Sequence, residues 1–173
     1  MGTLFTNRCT LTKEVCLEAY DNYNKRNRMV TSGILSFMAI IFLLQRKQYS
    51  MSDSFQPYLI ILCFLASALL YFVVPILQAN QFYKQAKELY HEDVTTIVEF
   101  RDSYFISTAQ PSNATTIINY DQVKGLVSTD HLYLIIINFN MFYIIDKNRF
   151  DQIDSSAFIK FMQEKAPSGR YIQ

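Results

Sequence analysis

The chain has 173 residues, a formal net charge of +1 and 50% hydrophobic residues. Residues 1–90 contain nine Lys and Arg against five Asp and Glu, whereas residues 91–173 contain seven against ten. A domain that binds nucleic acid needs a basic face, so this balance argues against a nucleic-acid partner. The three cysteines lack metal-ligand spacing, which argues against a zinc site or a disulfide framework.

Two apolar stretches, 29–44 and 57–77, predict a transmembrane helical hairpin. The second stretch would span roughly 31 Å as a helix, which matches the hydrocarbon thickness of a bilayer. The first would span roughly 24 Å, so Arg28, Arg46 and Lys47 must reach the headgroups from its ends. Two buried helices of a soluble protein are the alternative. Neither stretch has the polar face that such helices show.

The distribution of positive charge predicts the orientation of the hairpin. Basic residues flank the outer ends of the two stretches: Lys25, Arg26, Arg28, Lys84 and Lys87. The connecting loop holds only two. Because positive charge near span ends tends to stay in the cytoplasm, we expect a multi-pass membrane protein with both termini cytoplasmic.

The N-terminal region, 1–28, is predicted to form a short strand and an amphipathic helix. Residues 4–10 have strand character, and Thr12 can cap a helix in which Leu11, Val15, Ala19 and Tyr23 recur every four residues. After the second stretch, residues 78–93 continue an apolar helical stripe. We expect the two stripes to form a short stalk or to pack onto the C-terminal domain.

Small residues inside the two apolar stretches favour close packing of one helix on the other. They are Ser32, Gly33, Ser36, Ala66, Ser67 and Ala68. In lipid, such residues let helix backbones approach closely. Pro75 near the end of the second stretch predicts a kink, because proline removes a backbone donor and crowds the preceding turn.

The region 94–166 changes to short β-rich runs separated by turn residues, followed by one amphipathic helix that Asp154 can cap. The run 132–137 is apolar on both faces, which indicates a central strand covered on both sides. The predicted class is α+β, with a small β-barrel or curled antiparallel sheet closed by the C-terminal helix. Residues 167–173 look like a frayed tail.

Several segments resemble the YcxB-like family of bacterial membrane proteins. They are the Leu-Thr-Lys-Glu of 11–14 with Tyr20 and Tyr23, the two close apolar stretches, and the segments 120–123, 143–150 and 158–161. The resemblance implies a pleckstrin-homology-like (PH-like) cytoplasmic domain at the inner membrane of a bacterial cell. It implies no particular chemistry.

Candidate site residues are few, and we expect neither a catalytic site, a metal site nor a cofactor. His91, Glu92 and Asp93 adjoin one another, but neighbouring helical side chains diverge, so a solvated helix end is favoured over a metal site. The exposed 146–150 stretch is the one candidate binding loop. In it Lys147, Asn148 and Arg149 could contact a headgroup or a partner, although a solvated strand-ending turn is the favoured interpretation.

These features favour a non-enzymatic, membrane-anchored interaction module. It would present a PH-like domain at the inner membrane face, with the lipid bilayer and a protein partner or a second copy of the chain as its contacts. An immunity or accessory protein that binds a specific membrane-active protein is the alternative. A small membrane enzyme is a second, disfavoured alternative, because neither apolar stretch supplies a titratable cluster at membrane depth.

Overall fold

The structure, a computed structural model, describes residues 2–23, 25–45, 56–138 and 141–172. It is an α+β protein that divides into two compact units. One unit, here called the strand-rich unit, combines Met1–Tyr23 with Ala79–Gln173, and the other is the helical hairpin Asn24–Gln78. The predicted loop residues Arg46 and Lys47 lie outside the described residues.

The elements follow one another in a simple order. The helices are α1 (Lys13–Tyr23), α2 (Lys25–Gln45), α3 (Gln56–Ala68), α4 (Val74–Tyr90) and α5 (Ser155–Lys165), with a π-helical segment, Leu69–Val73, between α3 and α4. The strands are β1 (Phe5–Thr10), β2 (Thr95–Phe100), β3 (Tyr104–Gln110), β4 (Ala114–Asn119), β5 (Gly125–Ser128), β6 (Leu132–Asn138), β7 (Met141–Asp146), β8 (Phe150–Asp151) and β9 (Arg170–Ile172).

The strands form two sheets, which corrects the prediction of a barrel or a single curled sheet. The first sheet has the order β4-β3-β2-β1-β8, and the second has the order β7-β6-β5-β9. The chain leaves the first sheet after β4, turns through a single 3-10 turn at Tyr120–Gln122 and enters the second sheet at β5. Because no ladder of the described strands joins the two sheets, the barrel does not close.

The N-terminal strand belongs to the first sheet although the helical hairpin separates it from the rest of that sheet in sequence. β1 pairs antiparallel with β2 from Phe5 opposite Phe100 to Thr10 opposite Thr95. The chain then enters α1, where the backbone N–H of Val15 donates to Thr12 Oγ1 at 3.3 Å, the predicted N-cap. The hairpin is therefore an insertion between two neighbouring strands of one sheet.

A buried asparagine connects the first sheet to the second in place of a strand ladder. The Asn7 side chain, on β1, is fully buried. Its Nδ2 donates to the Asp146 carbonyl at 2.7 Å, and its Oδ1 accepts from the Asp146 N–H at 3.1 Å. The side-chain amide thus satisfies the two backbone groups of Asp146 much as a neighbouring peptide group would.

The central strand β6 is covered on both faces, as its apolar sequence predicts. Tyr133 and Ile135 face an aromatic core that contains Phe158 of α5, while Leu132 and Leu134 face a second cluster. That cluster also contains apolar residues of α1 and α4. Helices α1 and α4 therefore both pack on the second sheet, one of the two arrangements that their stripes predict.

The chain end is ordered as a strand, which corrects the prediction of a frayed tail. β9 pairs in parallel with β5, from Arg170 opposite Gly125 to Ile172 opposite Val127. A Cβ at Gly125 would lie 2.5 Å from the Arg170 carbonyl oxygen, so only glycine allows β9 to approach. A three-residue strand leaves too little periodicity to be recognised in the sequence.

Ala39, Ile60 and Ser67 are buried in the helical hairpin, and most of its large apolar side chains are exposed. Two helical runs, Lys25–Leu44 and Pro57–Tyr90, are long and apolar enough to cross a membrane. Between them, Ser67 lies 2.6 Å from Ser32 and 3.0 Å from Ser36, oxygen to oxygen, and also donates to the Ser32 carbonyl at 3.0 Å. The predicted packing through small residues is confirmed at these serines.

The helix changes locally beside Pro75, whereas the predicted kink stays a prediction. Pro75 has no N–H to offer to the carbonyl of Tyr71, four residues earlier. The helix widens at this point into the π-helical segment, closed by a bond from the Val74 N–H to the Leu69 carbonyl. Arg28 Nη1 of α2 donates to the Tyr71 carbonyl at 2.8 Å, so a side chain of the other helix supplies a donor there.

Candidate functional site

The side chains on the inner face of the first sheet become smaller along its strands. Three cross-strand rows on this face run from bulky to small side chains: Phe5-Phe100-Phe105-Ile118, then Asn7-Val98-Ser107-Thr116, then Cys9-Thr96-Ala109-Ala114. The first row is buried in the aromatic core, where Phe5 stacks on Phe100 with ring centroids 4.7 Å apart. The small residues of the third row leave space above the sheet.

That space is a groove of about 430 Å³ within the strand-rich unit, a size typical of small-molecule sites. Thr96, Ala109 and Ala114 of the third row, with Ser107 and Thr116 of the second, line its floor. Helix α4 forms one wall with Phe82, Gln85, Ala86, Leu89 and Tyr90, and β7 supplies the other. We call this site the α4 groove. Helix α4 forms this wall because its apolar stripe, predicted from the sequence, faces the sheets.

The lining of the α4 groove is uncharged. It contains Ser and Thr hydroxyls, one Gln and two Tyr among apolar side chains, and no Asp, Glu, Lys, Arg or His within the described residues. Ser107 on the floor is only 6% exposed, and its hydroxyl forms no hydrogen bond with another described residue. Burial raises the pKa of Tyr143, so this phenol is neutral at physiological pH.

Two cysteines of the strand-rich unit, Cys9 and Cys16, are buried, and neither is among the lining residues of the groove. Burial raises the pKa of the Cys9 thiol to about 12, with the charge of Asp146 adding to the effect. Burial likewise raises the pKa of Cys16 to about 11. Thiols with such pKa values are inert structural groups at neutral pH. The lining of the groove itself offers apolar surface and neutral hydrogen-bonding groups.

The predicted binding loop is tied into the strand-rich unit at its first residue. Lys147 Nζ donates to Ser128 Oγ at 2.9 Å and to the Thr129 carbonyl, and it lies 4.8 Å from the Tyr133 ring centroid. Asn148 and Arg149 are exposed. The Asn148 N–H donates to Asp146 Oδ1 at 2.9 Å, so a hydrogen bond to the Asp146 side chain closes the turn. Lys147 is thus engaged internally, and the other two side chains face solvent.

The other titratable residues singled out in the sequence take structural positions. His91 has a left-handed φ of 58° at the end of α4, and its N–H donates to the Lys87 carbonyl at 2.8 Å. Asp93 accepts a hydrogen bond from the Tyr83 hydroxyl at 3.3 Å. Among the described residues no group of three His, Cys, Asp or Glu side chains could hold a metal ion.

An ionic cluster that the sequence does not reveal fastens α1 to the turn between β5 and β6. The Glu18 carboxylate accepts hydrogen bonds from the His131 N–H at 2.8 Å, from His131 Nδ1 at 3.2 Å and from the Thr129 hydroxyl. Burial alone would raise the pKa of Glu18, but these hydrogen bonds outweigh it and lower the pKa. The partners are more than 110 residues apart in sequence, so no local pattern indicates the contact.

The groove was not predicted from the sequence, although the sequence of β3 contains a signal for it. In β3, every second residue reads Phe105, Ser107, Ala109, so one face of a single strand changes from bulky to small. The neighbouring strands repeat the change in register. A face that loses side-chain volume in several adjacent strands must be filled by another element or left open.

Comparison with known proteins yields one match. The family described as YcxB-like protein matches residues 100–162, from the end of β2 to within α5. The resemblance inferred from the sequence is confirmed for this segment. No curated protein and no solved structure matches the chain.

Proposed function

We propose that this protein is a non-enzymatic, membrane-anchored interaction module. The helical hairpin lies in the inner membrane of a bacterial cell, and the strand-rich unit acts as a PH-like binding domain on the cytoplasmic side. The observation that carries the proposal is the surface of the hairpin: its large apolar side chains are mostly exposed, while Ser67 between the helices is buried and bonds Ser32 and Ser36.

The exposed fractions within the hairpin support a lipid environment. Phe37, Leu65 and Phe72 are 63%, 57% and 65% exposed, whereas Ser67 is 6% exposed. In water, such a surface would form an apolar patch far larger than monomeric soluble proteins carry. In a bilayer, the same surface meets hydrocarbon, and the buried hydroxyls hydrogen-bond one another across the helices.

A binding role for the strand-rich unit is supported by its chemistry. Its groove is uncharged, and the thiols of Cys9 and Cys16 have raised pKa values. The resemblance to YcxB-like proteins and the packing of α5 against the strands favour the PH-like assignment. This fold-level likeness brings no ligand with it, so the ligand must be argued from the site.

A protein partner or a second copy is supported by an open strand edge. β4 is the outer strand of the first sheet, and its sequence Ala-Thr-Thr-Ile-Ile-Asn has no charge and no proline. Ile117 on this strand is 63% exposed. Edge strands usually carry charges or prolines that block pairing with another chain, and β4 carries neither.

The test of anchoring uses the full chain in bacterial membranes. We expect it to stay in the pellet after alkaline carbonate extraction, and we expect a reporter active only outside the cytoplasm to work when inserted in 46–55 but not when fused after residue 173. Leu65→Lys should weaken insertion, whereas Ser36→Ala serves as the matched conservative control. Complete extraction of the unmodified chain by carbonate would overturn the proposal.

The test of partner binding is chemical crosslinking in native membranes followed by mass spectrometry. A single stoichiometric protein or a crosslinked homodimer is expected, and Ile117→Lys should reduce it if β4 is the contact. Recovery of a membrane-active protein would favour the immunity or accessory alternative. Turnover of a substrate by the purified full chain would contradict the non-enzymatic assignment.

A further inference from the structure

We propose that the α4 groove binds one hydrocarbon chain of a neutral lipid whose head carries an uncharged oxygen group, such as an ester or a hydroxyl. The proposal deepens the proposed function, because the bilayer would be the source of the lipid. It rests on three properties of the groove, namely its shape, its lack of charge and its buried hydroxyl.

The shape favours a thin ligand. The floor is open because Ala109 and Ala114 face each other across β3 and β4, where the neighbouring row has larger side chains. The volume of about 430 Å³ would hold about one turn of an α-helix about 10 Å wide. A partner helix would therefore lie across the opening, whereas an extended hydrocarbon chain can reach the floor.

The lack of charge defines which part of a lipid enters. No described lining residue bears a charge, so a carboxylate or phosphate inside the groove would lose its hydration without gaining a counter-ion. The apolar lining residues Phe82, Leu89 and Phe142 instead offer dispersion contacts to a hydrocarbon chain. A charged head group is therefore excluded from the inside of the groove by desolvation.

The Ser107 hydroxyl points to an oxygen on the ligand. Ser107 is 6% exposed and lines the groove. Its Oγ is not among the fully buried side-chain atoms that lack a partner in the described residues, so a ligand in the groove can reach it. Thr116, directly opposite on β4, already bonds the Tyr143 side chain. Ser107 is therefore the hydroxyl that can donate to or accept from one neutral ester or hydroxyl group.

The experiment is photo-crosslinking of the full chain in phosphatidylcholine nanodiscs. The probe is a monoacylglycerol with a diazirine in its acyl chain, added at low mole fraction, and labelled peptides are mapped by mass spectrometry. We expect labelling in peptides from α4, β3, β4 and β7. Labelling of 25–78 measures contact with the bulk bilayer and serves as the internal standard.

Two variants test the site from different directions. Ala86→Trp fills the groove from α4 and should reduce its labelling at least tenfold, whereas Ala157→Trp, at an exposed position of α5, should leave the labelling unchanged. Ser107→Ala removes one hydroxyl and should reduce labelling by the monoacylglycerol about fivefold. It should not reduce labelling by a diazirine alkane. Protection of Cys9 and Cys16 from alkylation verifies that each variant is folded.

Three results would overturn the proposal. They are labelling confined to 25–78, equal groove labelling in Ala86→Trp and the unmodified chain, and crosslinks from the groove peptides to a protein in place of the lipid. Failure of the membrane proposal is recognised separately, because it would appear as carbonate extraction and as loss of the 25–78 labelling.

Discussion

The two units of this protein differ in where their large apolar side chains lie. In the strand-rich unit, phenylalanines from β1, β2 and α5 form the interior, with Phe5, Phe100 and Phe158 all at most 4% exposed. In the helical hairpin, Ser67 is interior while Phe37 and Phe72 face outward. The outward apolar side chains of the hairpin are what its proposed membrane location requires, because burial of apolar surface stabilises a protein surrounded by water and not one surrounded by lipid.

The two interiors also use polar groups differently. In the strand-rich unit, the buried Asn7 amide satisfies backbone groups that no strand reaches. In the hairpin, the serine hydroxyls satisfy one another and the Ser32 carbonyl. The first arrangement joins two sheets, and the second joins two helices.

The largest difference between the units is expected from removing a phenyl ring. Phe100→Ala should lower the free energy of unfolding of the strand-rich unit by about 3–5 kcal/mol, because it leaves a cavity beside Phe5 and Phe158. The urea dependence of Cys9 and Cys16 alkylation measures this. Phe72→Ala in the hairpin should leave that urea midpoint unchanged. Equal shifts in the two variants would show that the units do not differ as described.

A smaller effect is expected at the connection between the sheets. Asn7→Ala should cost about 1–2 kcal/mol, because it leaves the N–H of Asp146 without its partner, while the Asp146 carbonyl keeps only the Arg149 N–H at 3.2 Å. The same urea titration reports it. Asn148→Ala, at an exposed position of the following turn, is the matched control and should change stability by less than about 0.5 kcal/mol.

In the hairpin, removing one hydroxyl should matter less than it does in the strand-rich unit. Ser67→Ala should weaken helix association by about 1 kcal/mol, since interhelical hydrogen bonds in lipid are individually modest. Energy transfer between dyes on α2 and α3 in detergent titrations measures the association. Ser36→Ala in the Ser67→Ala background should add almost nothing, because the shared bond is already lost. Full additivity would contradict the serine cluster.

The smallest effect is expected at the Glu18 cluster, and it depends on pH. The folded state lowers the pKa of Glu18 from its ordinary 4.5, so the stabilisation is complete above that value and is lost as pH falls through the lower, folded pKa. Glu18→Gln should therefore flatten the acid side of the stability profile, measured as urea midpoints by circular dichroism. His131→Asn keeps the backbone donor and should reduce the slope less. An unchanged pH dependence of stability in Glu18→Gln would show that the Glu18 cluster does not stabilise the fold.

The sequence by itself determined the features that depend on local order. Uninterrupted apolar runs specified the two long helices, Thr12 specified the start of α1, and the doubly apolar run of β6 specified a strand covered on both faces. Each of these follows from residues within one or two turns or a single strand. The physical periods of helix and strand make such patterns visible in one dimension.

Only the tertiary structure decided the features that join distant residues. Asn7 meets Asp146 across 139 positions, and β9 finds β5 through a three-residue ladder. The described strands form two sheets, and the Asn7 side chain bonds Asp146 between them. The α4 groove likewise exists only where three strands align their small residues beneath a helix. Such contacts depend on how helices and strands that are distant in sequence pack together, and no local sequence pattern predicts that packing.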